Sequence, residues 1–470
     1  MNTLLVALAL YAVGLMLFGL WLGRRFAGAG SFFVGDRALG PGLLFGTLLA
    51  ANIGAGSTVG AAGRGYANGI SAWWWVGSAG IGTLLLAFWI GPRIWRLAKD
   101  HEFLTVGDYI DWRFPTQGRI SLRLLLAAVL WAGTLAILAG QLIALAWVLD
   151  IVAGVDKTTG CLVGGLVMTV YFTAGGLRSS AWINAVQLVV MIAGFALAIP
   201  FALRETGGWQ RVMESVPESA GDYLGFFANG SSGWTYAFML VPAFMVSPGL
   251  IQKIYGARDE SALRRGVGWS GLALLVFAAV PPVLGMTARA YDPALSNPEL
   301  ALPLLLQQAL PVFLAALGLA AIVSAELSSA DAALFMLSTS LSEDLYRGQL
   351  RPDASDASVL RVARIGAVVG GALGVLLAVW LQSVIAALSL FYSILSVSLF
   401  VPVVIALNTR RGTGFDAILG LVAGVGLFLL ARSQGWAGSW YNPSLIGIVA
   451  SVFAYLASAS VRGSSHAPSS

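Results

Sequence analysis

Long apolar runs separated by short polar ones occupy almost the whole chain. Thirteen of them are long enough to cross a hydrocarbon core of about 30 Å as helices. They fall near residues 3–23, 41–63, 71–95, 122–149, 158–176, 180–203, 234–255, 266–288, 311–340, 360–380, 382–408, 414–431 and 444–461. The longest outer connection, Arg204 to Gly233, reads as loop from Pro217, Gly221 and the Asn229-Gly230-Ser231-Ser232-Gly233 run. Segment Ala98–Gln117 is amphipathic and is expected to lie along the membrane surface. The small polar tail Gly463–Ser470 is expected to be disordered. The first run has no positive charge before it and Arg24-Arg25 after it, the reverse of a cleaved leader. The pattern predicts an all-α polytopic membrane protein with one integral domain over 1–470.

Two of the runs are interrupted near their middle. In the second, Leu48-Leu49-Ala50-Ala51-Asn52-Ile53 gives way to Gly54-Ala55-Gly56-Ser57-Thr58-Val59-Gly60, and each interior glycine disfavours helix by about 1 kcal/mol against alanine. Small residues four apart also permit close helix packing, so this break alone has a structural reading. In the seventh, Pro242 kinks the helix and Ser247-Pro248-Gly249 interrupts it. Five spans separate the two breaks, which reverses the direction of crossing. Paired breaks in halves of opposite sense point to a midplane binding site in a secondary transporter.

Composition narrows the class. The chain is 58% hydrophobic and 10% charged with a mean hydropathy of +0.83, against about 25% charged in soluble domains. Cys161 is the single cysteine, so no internal disulfide forms, and His101 and His466 are too few for a zinc or haem centre. Gly54-x-Gly56-x-x-x-Gly60 misses the dinucleotide fingerprint, and no nucleophile–base pair is visible, so an enzyme is not expected. The net charge of +5 is explained by topology rather than by nucleic acid. With the N-terminus outside and the C-terminus inside, the outer side holds only Arg64, Lys157, Arg204, Arg211, Arg289 and Arg432 of the 27 basic residues. Lys253 is counted with the inner side. That split satisfies the positive-inside rule and places the chain, multi-pass, in the inner (plasma) membrane against anionic lipid.

Four motifs in order resemble the sodium:solute symporter family, which includes bacterial galactose, proline, pantothenate and sialic acid carriers. They are Ser31-Phe32-Phe33-Val34-Gly35-Asp36-Arg37-Ala38-Leu39-Gly40, Ala50-Ala51-Asn52-Ile53 with Gly69, Thr173-Ala174-Gly175-Gly176-Leu177 with Trp182-Ile183-Asn184-Ala185-Val186-Gln187, and Ala325-Glu326-Leu327-Ser328-Ser329-Ala330-Asp331 with Glu343-Asp344-Leu345-Tyr346. The resemblance implies a LeuT-type fold of two inverted five-helix repeats, 41–203 and 234–408, with 1–23 and 414–461 peripheral. It implies sodium as the coupling ion, with no organic cofactor, held by the carbonyls of Ala50, Ile53 and Ala325 and the hydroxyls of Ser328 and Ser329. The chemistry agrees, since a hard cation takes oxygen ligands and positions 325, 328 and 329 share a helix face. The structural alternative is that both serines bond to carbonyls a turn earlier.

Two positions depart from the family. Many members carry an aspartate where Asn184 stands, on the ion's inward path, and Glu326 replaces an apolar residue near the centre of a span. With Asp331 these are candidates for the coupling path, because a buried carboxyl in a membrane is functional by default. A small organic solute (sugar, amino acid, carboxylate or polyol) is expected between the breaks, near Asn52, Ser57, Thr58, Trp73, Trp74, Gln141, Met245, Gly249 and Gln252. Trp73-Trp74-Trp75 also reads as an interfacial belt. The expected activity is sodium-coupled symport into the cell by alternating access. A proton-coupled or uncoupled carrier and a non-transporting sensor are the alternatives.

Overall fold

The computed structural model describes residues 3–25, 33–115, 121–173, 177–216, 223–227, 233–409, 411–438 and 441–462. Among the described residues the regular secondary structure is helical, apart from one isolated β-bridge between Leu39 and Ala257. In chain order the helices are α1 (Thr3–Arg25), α2 (Pro41–Asn52), α3 (Ala61–Asn68), α4 (Trp73–Leu85), α5 (Gly91–Asp100), α6 (Val106–Arg113) and α7 (Leu122–Ala153). Next come α8 (Lys157–Thr173), α9 (Leu177–Glu205), α10 (Gly208–Glu214), α11 (Ala237–Val246), α12 (Pro248–Tyr255), α13 (Glu260–Phe277) and α14 (Val280–Tyr291). The last are α15 (Ala301–Ala309), α16 (Val312–Thr339), α17 (Asp356–Trp380), α18 (Val384–Leu399), α19 (Gly414–Ser433) and α20 (Pro443–Arg462).

Capping residues stop the apolar helices where they meet polar surroundings. Asp259 accepts from Ala262 N at the start of α13, and Ser383 from Ala386 N at the start of α18. Thr413 and Asp416 form a capping box on α19. Eleven helical stretches among the described residues are long and apolar enough to cross a membrane. The count differs from the expected thirteen because Pro41–Asn52 and Lys157–Val170 are shorter apolar helices. The tail 463–470 lies outside the described residues, as do 26–32 and 174–176 within two of the family motifs.

Both interruptions are real breaks. After α2, Ile53 leaves the helical region at φ −94°, ψ 99°. The coil restarts through a widened turn over Gly56–Gly60, with Gly60 N bonded to Ala55 O five residues back. Between α11 and α12, Ser247 sits at φ −55°, ψ 119°, the extended setting that a following proline imposes. A third bend was not expected. The run 266–288 is two helices, α13 and α14, joined at Ala278-Ala279, with Pro281 and Pro282 in the first turn of α14.

The segment 98–117 also departs from expectation. Phe103, Val106, Tyr109, Ile110 and Phe114 are buried in the protein, not spread on a membrane surface. A Thr105/Asp108 capping box starts α6, which packs on α7 and α12. It is clamped by Arg123, whose guanidinium lies 2.9 Å from both Asp108 and Asp111 and 2.8 Å from Asp344.

Helix α16 is largely enclosed, with α9 and α7 packed along it and the end of α2 against it. The first break packs on α13 and α14 through α2 and α3. Glu299 fastens one edge of this assembly. Its carboxylate accepts from Ser383 Oγ (2.7 Å), Val384 N (3.1 Å), Ile385 N (3.3 Å) and Trp147 Nε1 (3.2 Å).

Candidate functional site

At the first break the backbone gives up its own ladder. Ala55 N turns to Gln141 Oε1 at 2.8 Å and Ser57 N to Gly54 O at 2.8 Å. The carbonyls just before the break are met by serine hydroxyls instead. Ser328 Oγ donates to Ala50 O (2.8 Å), Ser57 Oγ to Asn52 O (2.8 Å), and Ser329 Oγ is shared between Ala51 O (3.0 Å) and Ile53 O (3.3 Å). Ser328 Oγ also lies 3.0 Å from Ala325 O. The five oxygens singled out in the sequence therefore gather where α16 passes the end of α2. The contact leaves no room for a side chain at Gly54, where a Cβ would stand 2.2 Å from Ser329 Oγ.

Glu326 lies one residue around α16, with no exposed surface. Thr58 Oγ1 is 2.9 Å from Glu326 Oε1 and 3.0 Å from Gly54 O. One hydroxyl proton serves one acceptor, so both contacts are satisfied together when the carboxyl is protonated and donates to Thr58. No basic side chain pairs with Glu326 among the described residues, and its Oε2 has no partner. The arrangement ties α16 to the first break.

Beside it lies a polar cluster shared by α2, α9, α12 and α16. Asn184 Nδ2 donates to Thr47 Oγ1 (3.1 Å) and Ser180 Oγ (3.4 Å), and Ser180 Oγ donates to Asp331. Lys253 Nζ donates to Thr47 O (3.0 Å) and Thr47 Oγ1 (3.2 Å). Lys253, counted by sequence with the inner-side charges, is only 1% exposed and points into the bundle. Its position four residues after Gly249, in an apolar half-helix, was the available signal.

Two cavities adjoin the breaks. One, of about 440 Å³, is lined by Asn52, Ser247, Gly249, Lys253, Ser329 and Met336, with Phe244, Phe391 and Tyr392 as its aromatic wall. Tyr392 meets Phe244 at a tilt (ring centroids 5.3 Å) and Trp75 edge-on (6.2 Å), and Trp75 meets Tyr236 edge-on (4.9 Å). The second, of about 540 Å³, is a vestibule lined by Arg123, Asp344, Gln252, Pro248, Thr339 and Met336. Met336 lines both.

The expected solute contacts separate accordingly. Asn52 and Gly249 line the first cavity. Ser57, Thr58 and Gln141 instead hold the break. Gln252 faces the vestibule, with Nε2 donating to Leu104 O at 3.2 Å. Trp73 packs against Trp74 and Phe226 (5.3 and 5.1 Å) and does not line the cavity.

Two broken helices facing each other beside a long unbroken one define a membrane carrier of the LeuT-type fold. The chain superposes on a Na+-coupled sialic acid symporter with a TM-score of 0.80 at 18% identity, covering 97% of both chains. It superposes on Mhp1, a nucleobase-cation-symport-1 family transporter, with a TM-score of 0.60 at 15% identity, covering 91% of this chain and 93% of the other. The sequence model of the sodium:solute symporter family matches residues 32–424, and the chain belongs to that family. It is 27% identical to the sodium/pantothenate symporter of Escherichia coli (strain K12) over 447 residues, 90% of this chain and 89% of the relative. It is 23% identical to the high-affinity proline transporter PutP of Bacillus subtilis (strain 168) over 454 residues, 93% and 94% of the two chains. It is 24% identical to high affinity choline transporter 1 of Homo sapiens over 449 residues, 90% of this chain and 75% of the relative. The protein is a transporter and not an enzyme.

Proposed function

We propose that the protein carries a small organic solute into the cell together with sodium, the ion sitting between the end of α2 and α16. The observation that carries this is the set of oxygens gathered at the first break. Ser328 Oγ reaches Ala50 O and Ala325 O, and Ser329 Oγ reaches Ile53 O, all within 3.3 Å. Five neutral oxygens suit a hard monovalent cation, and no group of three His, Cys, Asp or Glu among the described residues offers a divalent site. Sodium would draw on the lone pairs of the two hydroxyls, their protons turning away from the carbonyls they now serve. The carbonyls come from a helix break, so no second buried charge is needed.

The solute's place in this reading is the cavity between the breaks, lined by Asn52, Ser247, Gly249 and Lys253 with an aromatic wall. Met336 lines both this cavity and the vestibule. The two repeats are read as 41–203 and 234–408, with the N-terminus outside and the C-terminus inside. Asn184 and Asp331, joined through Ser180, lie on the inward ion path.

Uptake into proteoliposomes under an imposed sodium gradient tests the function. Accumulation of a solute with sodium and not with potassium is the expected result, and equal accumulation with both would refute sodium coupling. A reporter active only in the cytoplasm, fused after Ser470, should be active. Silence there, beside an active fusion after Arg64, would reverse the orientation.

A further inference from the structure

From the chemistry of the cavity wall we infer that the transported solute carries a carboxylate and that Lys253 selects it. This rests on the 440 Å³ cavity being the solute site, and it names the class of solute.

Three observations converge. The first is the charge on the wall. Among the described residues, Lys253 is the single ionisable basic side chain lining the cavity, and no Asp or Glu lines it. Its ammonium is buried, with the backbone and hydroxyl oxygens of Thr47 as its hydrogen-bond acceptors. An ammonium has three protons to give, and the two Thr47 contacts do not use all of them. Asp331, on the neighbouring α16, receives the Ser180 hydroxyl and is an electrostatic partner of Lys253, but the two make no ion pair within 4.0 Å among the described residues, so no carboxylate touches the ammonium. A buried ammonium bonded to neutral oxygens is costly unless an anion comes to it.

The second is an unused donor. Asn52 Nδ2 has no hydrogen-bond partner, and the side chain is 7% exposed in the same wall. The third is the start of α12. The first backbone bond of this eight-residue half-helix runs from Ile251 N to Ser247 O (2.9 Å), so the N–H groups of Gly249 and Leu250 precede it. Helix N-termini favour negative charge. Gly249 and Leu250 both line the cavity.

The wall is thus rich in donors and lacks an anionic acceptor, which suits a carboxylate. It works against a quaternary ammonium, although Phe244, Phe391 and Tyr392 supply aromatic faces. Those rings, with Ile137 and Leu250, take an apolar body instead. A solute with a carboxylate at one end and an uncharged, partly apolar remainder matches this division.

The test is a thermal-shift screen of the whole protein in nanodiscs, in sodium and in potassium. The probes are organic carboxylates, including pantothenate, each paired with its uncharged amide, with L-proline as a zwitterion and choline as the cation. Carboxylates should stabilise the protein where their amides do not. Lys253→Gln should weaken the best carboxylate on the order of tenfold or more, the usual weight of a charge-assisted bond, while Lys253→Arg retains part of it. No preference for any carboxylate over its amide in the wild type, or an unchanged affinity in a folded Lys253→Gln variant, overturns the inference. The wild-type arm decides the matter even if the glutamine variant does not fold. Stabilisation by sodium without solute reads the ion site separately. Its absence would sink the sodium reading and leave the carboxylate comparison intact.

Discussion

The two helix breaks do the same thing to the backbone by different means. The first is held open from outside. Gln141 takes the Ala55 N–H, Ser328 and Ser329 meet the carbonyls of Ala50, Ala51 and Ile53, and Thr58 links it to Glu326. Helices α7 and α16 thereby fix its shape. The second break needs no such help, because Pro248 lacks the donor that would continue the helix and forces Ser247 out of it. No side-chain hydrogen bond joins Ser247 to a neighbour in the described structure. A break held by many partners suits an ion, whose ligands must be placed within tenths of an ångström. A break made by proline alone suits a hinge, since nothing at Ser247 itself has to be undone for it to bend, although a swing of α12 would exchange the Lys253–Thr47 and Gln252–Leu104 hydrogen bonds.

This contrast makes graded predictions. The largest effect should come from Ser328→Ala combined with Ser329→Ala. Removing two of the five proposed ligands should raise the sodium requirement for uptake at least about tenfold per site, by comparison with the 10–100-fold cost of losing outer-shell partners of a metal. Sodium titration of uptake at fixed solute measures it, and an unchanged sodium dependence removes the site. By linkage, sodium and solute should each improve the other's binding by one common factor.

Gly54→Ala comes next. Its methyl would stand 2.2 Å from Ser329 Oγ, 2.6 Å from Ser329 Cβ and 2.8 Å from Gln141 Oε1. Overpacking of this kind costs about 1–3 kcal/mol, and it falls on the gathered oxygens. Both the melting temperature and sodium affinity should drop. A variant that keeps sodium affinity would show that the first break tolerates movement, and the contrast between the breaks would fail.

Glu326 sharpens the comparison. Glu326→Gln keeps a hydrogen-bonding group beside Thr58 and should transport with sodium as before. Glu326→Ala strips Thr58 of that partner and should lower stability by about 1–3 kcal/mol, the range for leaving a buried polar group unmet. Uptake measured between pH 5.5 and 8 separates this pinning role from a proton-carrying one. If the wild type is pH-dependent and the glutamine variant is flat, Glu326 moves a proton and the first break is more than a frame.

The smallest effect on stability belongs to Pro248→Ala. No tertiary hydrogen bond is lost, so the melting temperature should shift little, within the roughly ±0.5 kcal/mol usual away from special features. The restored N–H allows α11 and α12 to run together, so turnover should slow while equilibrium solute binding stays. A large loss of stability would mean that the second break is also held from outside.

Much of this could be read before any coordinates. Gly54, Gly56 and Gly60 in one apolar run and Pro248-Gly249 in another mark both breaks, because those residues act on the backbone directly. Side-chain direction is not marked in the same way. Ser57, Thr58 and Gln141 look like solute contacts by type and place, yet their nearest acceptors and donors are in the break itself. The burial of Lys253 was not marked, because counting charge near a span end says nothing of whether the residue points back into the bundle. The bend at Ala278-Ala279 was signalled by Pro281-Pro282, but the run around it is apolar enough to pass for one helix. The polar face of 98–117 finds its partners on Arg123, in another element, and amphipathicity cannot tell a lipid surface from a protein one.

Met336, which lines both cavities, gives the inner barrier an unusual timescale. A methionine is unbranched and changes rotamer within picoseconds to nanoseconds when it is not tightly packed, whereas collective helix motions take microseconds to milliseconds. If the solute waits in the first cavity, this thioether is one of the groups that stand between it and the vestibule. Slippage, in which solute escapes inward without its ion, then depends on how firmly that one side chain is seated against Gly249, where even a methyl group would stand 2.9 Å from the sulfur.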